Sequence, residues 1–225
     1  KELSAPLICG TSGGEVDFIG VKEAASLVSL MRERMDIPVF LNLDHGRDIN
    51  LIKEAIDCGY DGVHFDGSHL PFEENLKLTK EVVAYAKDRG VVVEGEVGKV
   101  SGKSVLHNSK IEPSTLTSME KIVRFVGETG VDSIALDVGT AHGIYSEAPS
   151  IEFERIDEAA KTGSFIVLHG GSGVEEEDIK ESIRRGVVKI NINTELRIIW
   201  RDSLYKKMSE NLEEVVPYNI LPAAR

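Results

Sequence analysis

The sequence lacks the features that mark several large classes of protein. Its 225 residues include only two cysteines, Cys9 and Cys58. Two are too few for a disulfide framework or a four-cysteine zinc knuckle. Cys9 lies in an apolar run and Cys58 beside Gly59, so both read as reduced, buried thiols in a cytoplasmic protein. No apolar run approaches the roughly 20 residues that a membrane-spanning helix needs. No secretory leader is recognisable at Lys1-Glu2-Leu3-Ser4. The absence of an initial Met suggests a longer natural chain. Basic residues are in the minority, with 26 Lys and Arg against 38 Asp and Glu, a formal net charge of -12. Such a surface repels nucleic acid and anionic lipid, so neither is an expected partner. It also means that a phosphorylated ligand needs a local anion site. A G-x-G-x-x-G turn is missing after the first apolar run, which disfavours a dinucleotide fold.

What the sequence does contain is alternation. Short apolar runs at 7–9, 39–43, 62–65, 91–94, 133–137, 165–168 and 188–192 read as strands covered on both faces. Amphipathic stretches at 21–34, 49–57, 73–89, 118–129, 152–161, 175–185 and 194–209 read as helices. Asp48 and Thr194 are expected N-caps. Gly59, Gly90, Gly130 and Gly186 fall just past helix ends, where a left-handed residue is wanted. Repeated strand–helix units imply a parallel sheet with right-handed crossovers. Seven units are visible, and eight close a TIM (β/α)8 barrel. The expected fold is therefore α/β, one TIM-barrel domain over 1–225, with the first βα unit absent from the sequence. A doubly wound open sheet is the runner-up. The segment from Gly98 to about Thr117 is expected to be a long functional loop.

Barrel enzymes carry their chemistry at the C-terminal ends of the strands. Those ends read Asp44-His45-Gly46, Asp66-Gly67-Ser68, Glu94-Gly95-Glu96, His142-Gly143, His169-Gly170-Gly171-Ser172-Gly173 and Asn191-Ile192-Asn193-Thr194. Three histidines at one rim, His45, His142 and His169, are the type of set that binds zinc and leaves a position for substrate. His64 and His69 flank Asp66 and are weaker candidates. Asp44 can act as a proton-transfer carboxylate beside a metal, or it can orient a histidine. Asp66 and Glu94 fit the supporting role. The glycine-rich turn at 169–173 and the turn at 191–194 each lead toward a helix. Backbone N–H groups at such places bind phosphate.

In this order, these residues resemble the class II, metal-dependent fructose-bisphosphate and ketose-bisphosphate aldolases. The matching stretches are Leu41–His45, Phe65–His69, Val93–Gly98, Gly139–Gly143, Leu168–Gly173 and Asn191–Thr194. The resemblance implies a homodimer or homotetramer with a catalytic Zn2+ or another divalent metal. It implies His45, His142 and His169 as ligands, with Glu96 in an alternate arrangement, and Asp44 as the catalytic residue. Gly143, Gly170, Ser172, Asn191 and Thr194 would hold the substrate phosphate, with a monovalent cation, Na+ or K+, nearby. Two positions depart from the family pattern. Ser104 stands about where a loop glutamate belongs, with His107 or Glu112 as conceivable substitutes. Asn193 stands where aspartate is usual, which bears on substrate hydroxyl or phosphate contacts.

The implied reaction is reversible cleavage of a ketose 1,6-bisphosphate, with fructose 1,6-bisphosphate as the first expectation. The products would be dihydroxyacetone phosphate and an aldehyde such as glyceraldehyde 3-phosphate. Tagatose 1,6-bisphosphate, another phosphorylated ketose, and a non-catalytic sugar-phosphate-binding relative are the alternatives. A metal-dependent hydrolase on the same barrel is less favoured, because no His-x-His pair occurs.

Overall fold

A computed structural model describes residues 5–98, 101–106, 116–145 and 149–224. The strands are β1 (Leu7–Ser12), β2 (Val39–Gly46), β3 (Gly62–Phe65), β4 (Val92–Val97), β5 (Ser101–Leu106), β6 (Ser133–Leu136), β7 (Ala141–Ile144), β8 (Phe165–Leu168) and β9 (Val187–Ile190). The helices are α1 (Gly13–Ile19), α2 (Val21–Arg34), α3 (Ile49–Asp57), α4 (Phe72–Lys87), α5 (Met119–Thr129), α6 (Phe153–Ala160), α7 (Glu176–Arg184), α8 (Thr194–Glu210) and α9 (Pro217–Ile220). Seven strands form one parallel sheet in the order β1-β2-β3-β4-β6-β8-β9. This is the expected TIM-barrel-like α/β fold, open between β1 and β9. A cleft of about 630 Å³ lies there, lined by Ile8, Gly10, Val188 and Ile190 among others.

The sheet is strongly curled. A flat sheet would hold β2 and β8 about 19 Å apart, since three strands separate them at roughly 4.8 Å spacing. Yet His45, at the end of β2, brings Nε2 to 3.0 Å from Nδ1 of His169, which follows β8.

One face of the sheet packs on the helices. Ile52, Ile56, Val63, Phe65, Val93, Phe125, Ile134 and Ile156 are all nearly inaccessible there. The other face encloses a polar interior of His64, Glu94, Glu96 and Lys189. The apolar runs are therefore interrupted at alternate positions, as in Val93-Glu94-Gly95-Glu96. Asp48 caps α3, accepting a hydrogen bond from Asn50 N at 2.8 Å. Thr194 is not an N-cap: it is the first residue of α8, and Asn193 holds the cap position. Backbone φ is positive at Gly59, Gly90, Gly130 and Gly186, as their places after helices require.

The largest departure lies in the expected loop. Residues 101–106 form β5, which pairs in parallel with β7, Ser101 opposite Ala141 and Gly102 opposite His142. Ser104 lies in this strand, while His107 and Glu112 lie outside the described residues. The second strand of this small sheet carries His142, so the segment sits beside the rim.

Candidate active site

The site begins with an irregularity in β2. Its register against β3 shifts between Leu43 and Gly46. His45 adopts φ 50°, in the left-handed region, as no other non-glycine does among the described residues. Neighbours in a regular strand point to opposite sides. The kink turns both Asp44 and His45 toward one pocket, and strained backbone of this type concentrates at functional sites. Gly46 completes the turn. A Cβ there would meet Ile52 Cγ1 at 2.9 Å and His64 O at 3.1 Å, so no side chain fits.

Around this turn the side chains form one connected network. His169 Nε2 lies 2.7 Å from Glu94 Oε1, and Glu94 Oε2 accepts from Lys189 Nζ at 2.6 Å. Asn191 Nδ2 donates to Asp44 Oδ1 at 3.1 Å. His45 Nδ1 lies 3.4 Å from both Asp66 Oδ2 and Glu96 Oε2. Arg47 donates twice to Asp66, at 2.9 and 2.7 Å. The ring of His142 is centred 4.8 Å from that of His45 and 5.7 Å from that of His169. The three histidines singled out in the sequence therefore converge, as do Asp44, Asp66, Glu94 and Glu96.

His64 belongs here as well. It is fully buried, with Nε2 3.3 Å from Glu96 Oε2 and Nδ1 3.2 Å from His45 N. Its position on β3, two residues before Asp66, is the signal that could have ranked it higher, because alternate residues share a face. His69, by contrast, is exposed.

Burial disfavours charge on all these groups, and their mutual contacts oppose it. Asp44 would rise on burial, but the His64 contact and the neighbouring His169 and His45 hold it far below the usual carboxylate range. Burial likewise pushes Glu94 up, while Lys189 and His64 pull it well down. His64 would fall on burial but is raised to about 10 by Glu94, Asp44 and Glu96. His142 is lowered to about 4, first by burial and then by the proximity of His45 and His169.

This donor set fits a divalent metal. Asp44, His45, His64 and His169 bring ligand atoms within 4.8 Å of one another, as do His45, Asp66 and Glu96. Two imidazole nitrogens on one zinc ion lie about 3.0–3.4 Å apart, given Zn–N bonds of about 2.0–2.1 Å. The 3.0 Å between His45 Nε2 and His169 Nδ1 meets that requirement. Four carboxylates (Asp44, Asp66, Glu94, Glu96) stand against Lys189, Arg47 and His64, whose raised pKa keeps it protonated, so one negative charge is left unmatched. That excess is what a divalent ion offsets.

Next to this cluster is a pocket of about 130 Å³ lined by Asp44, His45, His142, Gly143, Gly170, Ser172, Asn191, Asn193 and Thr194. All nine were expected from the sequence. Ser12 and Arg197 line it too, and sequence reasoning missed both. Arg197 follows Thr194 by three residues, nearly one helical turn, so helical periodicity was the available signal. Ser172 Oγ accepts from Asn193 N at 3.2 Å and joins the two turns. The side chain of Asn193 does not cap α8, and in its first turn Glu195 N donates to Ser172 Oγ at 3.4 Å. At Gly170, φ is 68°, and a Cβ would lie 2.4 Å from Ala141 O, so the turns cross backbone to backbone. Tyr145 links the same turns. Its hydroxyl accepts from Ala141 N at 2.6 Å and lies 2.8 and 2.9 Å from Ala141 O and Gly170 O.

The fold is a parallel strand–helix sheet of barrel type, with a histidine–carboxylate cluster that could hold a metal beside a polar pocket. The comparison with known families makes the class specific. The family model described as fructose-bisphosphate aldolase class-II matches residues 1–225, and the chain belongs to that family. It is therefore a class II aldolase, from a family that is generally metal-dependent and acts on phosphorylated sugars.

Among its relatives is the 6-phospho-5-dehydro-2-deoxy-D-gluconate aldolase of Halalkalibacterium halodurans. It is 38% identical over 225 residues, covering 98% of this chain and 77% of the relative. The sulfofructosephosphate aldolase of Alkalicoccus urumqiensis is 34% identical over 95% of this chain and 75% of its own. Among solved structures, the YdjI aldolase of Escherichia coli K12 superimposes with a TM-score of 0.77 at 29% identity, covering 99% of this chain and 78% of that one.

Proposed function

We propose that the chain cleaves a phosphorylated ketose reversibly between C3 and C4, giving dihydroxyacetone phosphate and an aldehyde. In this reading His45, His142 and His169 hold a catalytic zinc, and Glu96 is an alternate ligand. The metal supplies Lewis-acid polarisation of the substrate's carbonyl oxygen. Asp44 accepts the C4 hydroxyl proton as the C3–C4 bond breaks, its electron pair passes to the enediolate of the phosphorylated fragment, and protonation at C3 gives dihydroxyacetone phosphate. Asn191 orients Asp44 through the 3.1 Å hydrogen bond. Gly143, Gly170, Ser172, Asn193 and Thr194 hold the phosphate, with Arg197 as the nearby fixed positive charge and Na+ or K+ as an additional counter-ion. The observation that carries the proposal is that Asp44, two of the histidines and both phosphate turns border one pocket.

Fructose 1,6-bisphosphate is the substrate expected from the sequence. The relatives' names add 6-phospho-5-dehydro-2-deoxy-D-gluconate and sulfofructose phosphate as candidates. The deciding experiment follows triose phosphate release from these three and from tagatose 1,6-bisphosphate, with and without a chelator. Chelator-sensitive release from one of them supports the proposal and identifies the substrate. Release that persists in the metal-free protein, or no release from any of the four by metal-loaded protein, overturns it.

A further inference from the structure

Lys189 has no part in the proposed reaction, yet its side chain is mostly buried. Its side chain is 15% exposed and reaches across the interior from β9 to β4. There it meets Glu94, whose side chain is 3% exposed. The contact is short, 2.6 Å from Nζ to Oε2. An amine held this way is an ammonium donor to a carboxylate and not a free nucleophile.

The consequence passes to the histidine beyond. Glu94 uses its two oxygens differently. Oε2 takes Lys189, and Oε1 faces His169 Nε2 at 2.7 Å and His64 Nδ1 at 3.7 Å. With Oε2 pinned, the carboxylate cannot turn away, and Oε1 stays on His169. A carboxylate oxygen only accepts hydrogen bonds, so the proton of His169 sits on Nε2. That leaves the Nδ1 lone pair facing the cluster, 3.0 Å from His45 Nε2. Without the lysine, Glu94 can rotate toward His64, and His169 loses both its orientation and its fixed tautomer.

We propose that Lys189 is a positioning residue of the metal centre, acting through Glu94 to present His169 Nδ1 to the ion. This rests on the reading of the cluster as a metal site. Outer partners of metal-bound histidines typically contribute 10–100-fold to metal affinity.

The test uses the metal-free chain titrated with Co2+ against a competing chelator, read by the visible ligand-field spectrum. Lys189→Met should weaken Co2+ binding by about 10–100-fold and shift the spectrum, while circular dichroism stays that of the folded protein. Lys189→Arg, which keeps the charge and the donor, should recover most of the affinity. Glu94→Gln should weaken binding similarly, and adding Lys189→Met to it should cost little more, because both cut one link. Should the Met variant fail to fold, Lys189→Gln replaces it with the same expected loss. Wild-type affinity in a folded Met or Gln variant overturns the proposal. So does an Arg variant no better than Met, or a double variant that loses the product of the two single effects. A wild-type chain that takes up no Co2+ refutes the metal reading itself, and the role of Lys189 with it.

Discussion

At the scale of single residues, the proposed reaction separates holding a metal from moving a proton. His142 is the more peripheral of the three converging imidazoles, and its lowered pKa of about 4 keeps it neutral near pH 7, with a lone pair to offer. His142→Ala should therefore strip the metal, and elemental analysis checks this; full occupancy in the variant would remove His142 from the ligand set. Asp44 sits in the same pocket, oriented by Asn191. Asp44→Ala should keep metal and phosphate binding, while turnover falls about 10²–10⁴-fold, the usual range for a lost general acid–base group. Unchanged turnover would exclude it from proton transfer. Tyr145 offers a third case. Its hydroxyl has one proton and so satisfies either Ala141 O or Gly170 O at a given moment. Tyr145→Phe leaves Ala141 N without its partner and unties the histidine turn from the glycine turn. The expected cost is about 1–3 kcal/mol of stability, measured by denaturant unfolding, with a weaker KM for the phosphorylated substrate. A variant as stable as the parent would show that the bridge is dispensable.

At the scale of elements, a stabilising helix cap and the candidate site share one strand–helix junction. Asp48 caps α3 immediately after the kinked end of β2, its carboxylate accepting from Asn50 N. Asp48→Ala should cost roughly 0.5–2 kcal/mol, with Co2+ affinity unchanged; altered metal binding would mean that the cap also sets the turn. Such units were readable because each strand–helix period repeats the same signals. The runs assigned to α2 and α3 agree with the structure to the residue. The site was readable for a related reason: strand ends are where polar residues interrupt apolar runs. What escaped has physical causes. The β5 segment Ser101-Gly102-Lys103-Ser104-Val105-Leu106 has weak strand character, and its partner lies 40 residues away, so only tertiary pairing reveals it. The seven-residue α1 starts at Gly13-Gly14, poor helix formers. Its one signal is Ser12 with Glu15 three residues on, and Glu15 Oε2 does accept from Ser12 N at 2.7 Å. Lys189 was invisible because its partner lies three strands across the curled sheet.

At the scale of the whole molecule, the curl of the sheet concentrates charge that a flat sheet would disperse. A chain of net charge -12 gathers Asp44, Asp66, Glu94 and Glu96 into one interior, with Lys189, Arg47 and a raised His64 as the opposing groups. The metal-free fold must carry that excess, so ion binding and folding are linked. An ion that binds only the native state adds about 2.7 kcal/mol at a free concentration 100 times its dissociation constant. For a domain of this size each kcal/mol moves the melting temperature by about 2–4 °C, so loading should raise it by roughly 5–10 °C. Calorimetry of the zinc-loaded and chelated chain checks the shift. The His142→Ala variant locates its origin. If the ion acts at the converging histidines, the loaded and chelated melting curves of that variant should nearly coincide. An equal shift in both proteins would place the stabilising ion elsewhere, and the interior carboxylates would then have to be balanced by Lys189, Arg47 and His64 alone.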